Sequence, residues 1–347
     1  MEKMVKAMQL EIEIRARDWP TKQLETVYFG GGTPSLLPID LLEKLFQTIN
    51  HFFDLGKVKE VTFEANPDDM TRENILAWKS MGINRLSVGL QSGHNERLAW
   101  MNRIHTAEQG KNAVRLAQDL GLENISLDLM YNFPQSADSE LEADIQSVLE
   151  LSPKHISAYE LTIEPKTVFG KQYVKGQLIP ATEENAAGQF VKVSDALQSA
   201  GFDHYEIASF GLPGFYALHN SNYWLQKPYL AIGPGAHGYD GIKRIENLPN
   251  NALYIKSLLE DGKPLQKIET LSKIDVANEM IITRLRTKWG FSTIELKEKT
   301  GFDLALEKNI ELKNLESDGL IFIKDDVITL SLKGKLLADQ IAVKLMY

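Results

Sequence analysis

A chain of 347 residues, 43% of them apolar and 24% charged, can build one large domain and a smaller one around substantial cores. A net charge of −9 argues against a nucleic-acid partner, which calls for a basic stripe to neutralise phosphates. The count of cysteines is 0, which excludes disulfides, thiolate zinc sites and cysteine nucleophiles together and makes the cytosol the expected compartment.

The opening segment, MEKMVKAMQLEIEIRARDW, is charged and amphipathic, with Val5, Met8 and Ile12 on one helix face. It lacks the apolar centre of a signal peptide, and no run reaches the roughly 18 apolar residues of a membrane span. Short β-branched and aromatic runs then recur: LETVYFG ending at Gly30, KEVTFEA at Ala65, INRLSVG at Gly89, NISLDLM at Met130 and HISAYELT at Thr162. Helical patterns such as LLEKLFQTINHFF and EQGKNAVRLAQDLG lie between them, and Gly82 and Gly121 fall where helix C-caps belong. Strand, helix, strand in regular succession predicts right-handed βαβ units in a parallel sheet.

A (β/α) barrel and a doubly wound sheet both answer to that pattern. The polar positions Gly30 to Thr33, Glu64, Gln91, Asp128 and Glu160 all fall at or just after strand C-termini. In a barrel those ends converge on one mouth, whereas an open sheet would separate them, so the barrel is preferred. A barrel of this kind starts with a strand. The opening helix is therefore either a decoration or the helix following a first strand that the chain lacks.

After about Phe210 the segment GLPGFYALHNSNYWLQKPYLAIGPGAHGYDG is rich in Gly, Pro, Asn and aromatics and reads as irregular loops. From about Ser272, helical runs followed by IFIKDDVITLS predict a winged-helix-like module. Its acidic and basic residues nearly balance, so DNA binding is not favoured. The expected division is a partial (β/α) barrel over 1–210, a loop-rich connector over 211–271 and an α+β winged-helix-like module over 272–347.

Several residues carry the candidate chemistry. In GGGTPS the glycines let backbone N–H groups approach a ligand closely, although many such turns are merely tight. The turn lacks a P-loop lysine and dinucleotide spacing. Glu64, Gln91, Arg103 and Asp128 supply two acids, an amide and a guanidinium from separate strand ends, a set suited to a zwitterionic ligand.

Taken in order, YFGGGTPSLL, TFEANPDD, NRLSVGLQS, MNRIHTAEQ, SLDLMYNFP and SAYELTIEP resemble the radical S-adenosylmethionine (SAM) proteins related to oxygen-independent coproporphyrinogen III oxidase. HYEIASF, PGFYALHNSNYW and YLAIGPGAHGYDG are similar to its HemW-type heme chaperone branch, and the resemblance covers essentially the whole chain. It implies that Gly31, Gly32 and Thr33 meet the methionine end of SAM and that Glu64, Gln91, Arg103 and Asp128 contact the same ligand. It also implies a heme site at His219, Asn220, Tyr223 and Trp224, with a heme-acceptor protein as partner. Imidazole is a common axial ligand to heme iron and aromatic rings cover porphyrin faces. The alternative for His219 is a loop histidine bonded to a backbone carbonyl; His237 reads as structural or as lining the mouth.

Departures from the resemblance carry their own expectations. The family's CxxxCxxC run holds a 4Fe–4S cluster; with no cysteine here, metal ligands of that kind are absent and radical catalysis is not expected. SAM, deprived of a cluster iron to chelate, should bind weakly or not at all. Gly93-His94, Asn132 and RIENLPNN depart from the usual residues and read as relaxed constraint on the cleft. The competing readings are a coproporphyrinogen oxidase-like enzyme whose cluster segment is missing and a non-functional truncated copy.

Overall fold

The computed structural model describes residues 1–347. Its first part alternates helices and strands: α1 (Glu2–Asp18), β1 (Thr26–Phe29), α2 (Ile39–Phe52), β2 (Glu60–Ala65), α3 (Arg72–Ser80), β3 (Arg85–Gln91), α4 (Asn95–Trp100) and α5 (Ala107–Asp119). It continues with β4 (Ile125–Tyr131), α6 (Asp138–Leu149), β5 (His155–Glu160), α7 (Val168–Val174), α8 (Glu183–Ser199), β6 (Asp203–Glu206) and β7 (Ser209–Gly211). Strands β1 to β5 are parallel neighbours in chain order. β7 then pairs antiparallel with β5, and β6 with β7. The result is the expected incomplete barrel, a curled half-barrel whose far edge reverses direction.

Local signals set the helix limits. Thr71, Thr106 and Thr182 accept from the N3 amides of α3, α5 and α8, and Gln109 completes a capping box on α5. Gly82 and Gly121, both at positive φ, follow the ends of α3 and α5.

Side-chain alternation decides which face of the sheet is which. Val61, Phe63, Leu86, Val88, Ile125, Leu127, Ile156 and Ala158 point to the convex side, where they pack with Ile75, Trp78, Val114 and Ile145 of the surrounding helices in the main core. The residues between them, which include Thr62, Glu64, Arg85, Ser87, Ser126, Asp128, His155 and Ser157, line the concave side. Parallel strands covered on both faces usually read as unbroken apolar runs; a polar inner face marks a site.

The segment expected to be irregular after Phe210 contains α9 (Leu218–Trp224), β8 (His237–Tyr239), β9 (Lys243–Asn247), α10 (Asn251–Leu259) and β10 (Gln266–Thr270). Here β9 is the central strand of an antiparallel sheet. The hydrophobic pattern could not announce it, because β10 is exposed along its whole length and KRIEN and QKIET are largely polar. His237 is the first residue of β8, exposed and opposite Glu246, so it belongs to this sheet and not to the mouth.

The last part comprises α11 (Lys273–Leu285), β11 (Phe291–Ser292), α12 (Thr293–Thr300), α13 (Leu304–Glu307), α14 (Asn309–Ser317), β12 (Ile321–Lys324), β13 (Val327–Leu330), α15 (Leu332–Lys335) and α16 (Ala338–Leu345). A separate core of Met280, Ile281, Phe291, Leu296, Ile328 and Ile341 holds it together. It meets the half-barrel through Lys335 Nζ donating to the His204 carbonyl at 2.8 Å and Arg286 lying 3.8 Å from Glu206.

Helix α1 is more than decoration. One side packs Val5, Ile12 and Ala16 against Leu41, Leu45 and Phe53; another packs Ala7 against Tyr254 and Leu258 of α10. Between them Glu11, 0% exposed, accepts from Arg15 Nε at 2.7 Å, Asn247 Nδ2 at 2.7 Å, Gly233 N at 2.8 Å and the Tyr254 hydroxyl at 2.6 Å. A buried carboxylate is tolerated only when its lone pairs are met in this way. Glu11→Ala would leave those donors unpaired and is expected to cost about 3–5 kcal/mol, with Glu11→Gln milder. Urea denaturation followed by circular dichroism measures the difference; an unchanged midpoint for Glu11→Ala would remove the keystone role.

Candidate cofactor cleft and histidine site

The upper end of the concave face is formed by strand C-termini. The turn after β1 is exposed and puts Gly31 at φ 79°, with open space around Gly31 and Gly32. Glu64 folds across it, accepting from Gly31 N at 3.2 Å and from the Tyr28 hydroxyl at 2.6 Å. Any side chain at Gly30 would collide with Tyr28 and Glu64, so glycine is required there by contact and not only by turn geometry. Gln91, at φ 69°, returns its amide over Gly89, where an added Cβ would lie 2.8 Å from Nε2 and 3.8 Å from the Arg103 guanidinium. Arg103 itself donates to Asn66 Oδ1 at 3.3 Å. Asp128 has a long contact of 3.5 Å from the Ser87 hydroxyl. Burial and the neighbouring Glu64 charge push its carboxyl up to about 7, against the pull of Arg85, Ser157 and Arg103.

Glu64, Gln91, Arg103, Asp128 and the Gly31–Thr33 turn therefore do gather at one end of the sheet. Thr33 is exposed and precedes a short turn at Pro34–Leu36, with no capping bond from its side chain.

The lower end is closed by α9. Its first two amides, Leu218 N and His219 N, donate to the Glu60 oxygens at 2.8 and 3.0 Å. The preceding Ala217 N donates to the Tyr205 hydroxyl at 3.1 Å, which also contacts His155 Nε2 at 2.7 Å. His155 Nδ1 meets the Ser126 hydroxyl at 2.7 Å, and burial holds this imidazole far below its usual pKa. Arg85, with 3% of its side chain exposed, sits 4.0 Å from Glu60.

His219 thus lies toward the strand N-termini, linked to Glu64 and the Gly31 turn through the Tyr28 ring and hydroxyl. Its Nδ1 is 2.7 Å from Thr26 Oγ1, its Nε2 is 2.6 Å from the Tyr223 hydroxyl, and its ring stacks on Tyr28 with centroids 4.9 Å apart. Burial, with Arg85 nearby, lowers its pKa to about 4, so the ring is neutral. It bonds to side-chain hydroxyls from the start of a helix, in place of the carbonyl-bonded loop position considered from sequence. Tyr223, 40% exposed, stands edge-on to Tyr229, and Trp224 lies 5.5 Å under the Arg286 guanidinium. Asn220 is half-buried on the same helix.

The departures read as relaxed constraint are structurally engaged. Asn132 has φ 62°, a left-handed position that asparagine tolerates. It accepts from Asn185 Nδ2 at 2.8 Å and donates to Glu160 Oε1 at 3.0 Å. Gly93 N donates to Asp144, as does the Ser92 hydroxyl, and an added Cβ would press on Asp144 and Ser147. Asn247 and Asn250 of RIENLPNN serve the Glu11 cluster and the α10 N-cap.

Thr26, Tyr28, Glu60, Arg85, Ser126, His155 and Tyr205 escaped the sequence reading. For Thr26, Tyr28, Glu60, Ser126 and His155 a signal was present as period-2 alternation within TVYF, EVTFEA, ISLDLM and HISAYE; Arg85 and Tyr205 lie outside those segments.

A 4Fe–4S cluster does not fit these residues. The chain has no thiolate, and no group of three or more His, Cys, Asp or Glu side chains is placed to hold a metal ion. No helix is long and apolar enough to cross a membrane.

Comparison with known proteins accords with this architecture. Residues 4–148 match the radical SAM superfamily and residues 271–337 the HemN C-terminal domain. The structure of coproporphyrinogen III oxidase (HemN) from Escherichia coli superposes with a TM-score of 0.85 over 99% of this chain and 83% of that one, at 19% identity, which establishes the fold. Heme chaperone HemW from Bacillus subtilis (strain 168) is 34% identical over 92% of this chain and 84% of its own length. The Lactococcus lactis protein of the same name is 35% identical over 83% and 75%. On sequence and fold, the chain belongs to the HemW heme chaperone family of the radical SAM superfamily.

Proposed function

We propose that this protein binds heme through His219 and passes it to an acceptor protein. The observation that carries the reading is the setting of His219. A neutral imidazole, held through Nδ1 by Thr26, has its other nitrogen toward the exposed Tyr223. Metal-ligating histidines are typically fixed in this way, with one nitrogen bonded to an oxygen and the other turned to the metal. Tyr223 and Trp224 supply aromatic surface beside it, and Asn220 shares the helix. A reducing cytosol suits a chain that relies on no disulfide.

The upper cleft is proposed as a SAM-type site. Gly31, Gly32 and Thr33 would border the methionine end, Glu64 and Asp128 would accept from ammonium or hydroxyl groups, and Gln91 and Arg103 would meet a carboxylate. SAM in this superfamily supplies a radical only when a cluster delivers an electron. These residues include no cluster ligands to deliver that electron, and the cleft is a weak binding site. Carrying heme, by contrast, needs no electron transfer.

His219→Ala is expected to weaken heme binding and shift the Soret band in a titration of the purified protein; an unchanged affinity and band would overturn the assignment. Iron–sulfur reconstitution of the chain should yield no stoichiometric 4Fe–4S centre, which Mössbauer spectroscopy would reveal if one formed. For Asp128 the folded pKa, about 7, lies above the ordinary aspartate value of 3.8. The folded state therefore binds the extra proton between these values, and stability from this group is lost as pH rises through 7. Asp128→Asn should consequently gain in melting temperature relative to the unsubstituted protein as pH rises from about 4 to about 7, with no further gain above; a pH-independent difference would contradict the raised carboxyl pKa.

A further inference from the structure

Resting on the heme reading above, we propose that Tyr223 is a cap on the heme-ligating nitrogen of His219, an internal competitor that heme displaces on loading and that returns as heme leaves. Both residues lie on α9, four positions apart and so on one helix face. A neutral imidazole has one N–H to give, so of its two contacts one must donate to it and the other accept from it. The phenol is far more acidic than the Thr26 hydroxyl and is the natural donor to a basic nitrogen. The proton of the ring then sits on Nδ1 and points to Thr26 at 2.7 Å, while Nε2 accepts from Tyr223 at 2.6 Å.

That arrangement holds the metal-ready tautomer with its lone pair covered. The inner side of His219 is fixed by Thr26, by the Tyr28 stack and by the Glu60 bond to its backbone amide. The outer side is closed by one hydroxyl on a side chain that is 40% exposed. Apart from His219 itself, Tyr223 meets the edge of Tyr229, whose ring centroid is 4.5 Å away. Loading exchanges the O–H···N bond for an iron–nitrogen bond, and the freed phenol turns to water. No redox change or proton transfer accompanies the exchange. A chaperone must release its cargo, and a hydroxyl waiting beside the ligand assists the reverse exchange. The Tyr223 hydroxyl therefore opposes heme affinity, an effect separate from any aromatic contact its ring makes.

The test is a heme titration and stopped-flow study of the full chain and of Tyr223→Phe, His219→Ala, Tyr223→Phe/His219→Ala and Thr26→Val, with release measured into excess apomyoglobin. Loss of one neutral hydrogen bond should make Tyr223→Phe bind heme about three- to tenfold more tightly and release it more slowly. The double variant should behave as His219→Ala. Thr26→Val, which no longer fixes the tautomer, should bind more weakly while keeping a histidine-ligated Soret band. Melting curves confirm that each variant is folded, and the conservative Phe leaves the Tyr229 contact in place. If His219→Ala lowers affinity but Tyr223→Phe leaves it equal or weaker, the cap is wrong and the heme reading survives. If His219→Ala has no effect, both fall.

Discussion

The half-barrel has an inner wall of polar side chains that the helices outside cannot satisfy. Each strand sends its apolar residues outward into the main core, and the alternating positions leave Glu60, Glu64, Arg85, Asp128 and His155 facing inward. Charged and polar groups removed from water must find partners, and where they find them shapes the rest of the molecule. At the lower end the partner is the N-terminus of α9, whose free amides meet Glu60 as helix N-termini meet anions. At the upper end no element closes the wall, and Glu64 bends back onto the Gly31 turn and the Tyr28 hydroxyl.

This division separates two chemistries. The upper end gathers carboxylates, an amide and a guanidinium around a glycine turn, as a small zwitterion demands. The lower end assembles neutral imidazoles with hydroxyl partners and aromatic neighbours, as a metal-bearing planar ligand demands. The upper cleft of this chain has a polar wall, and Asn132, Gly93 and Asp144 beside it are bonded into the surrounding elements.

The connector and the C-terminal module bear on the lower site. Glu11 of α1 bonds Gly233, Asn247 and Tyr254, which fixes the antiparallel sheet beside α9. Lys227 and Asn222 both reach Glu25 at the foot of β1, holding the end of α9 against the strand that carries Thr26. Arg286 of the C-terminal module lies over Trp224, so the small domain touches the same helix from the other side. The helix that carries His219 therefore lies at a junction of three structural parts.

The sequence by itself determined the parallel βαβ order, the clustering of strand-end polar residues and the motif containing His219. These depend on local periodicity, on where strands end and on residues adjacent in the chain. It did not determine the polar lower wall, because Arg85, His155 and Tyr205 come together only when separate strands align in register. Nor could it reveal the sheet within the connector, whose strands are polar and exposed and carry no hydrophobic period. The asparagine at 132 reads from sequence as relaxed constraint, but its left-handed backbone and its bonds to Glu160 and Asn185 engage it in the fold. The partners of His219 were equally hidden: Thr26 lies 193 positions away, and only the packing of α9 onto β1 sets which nitrogen is held and which is capped.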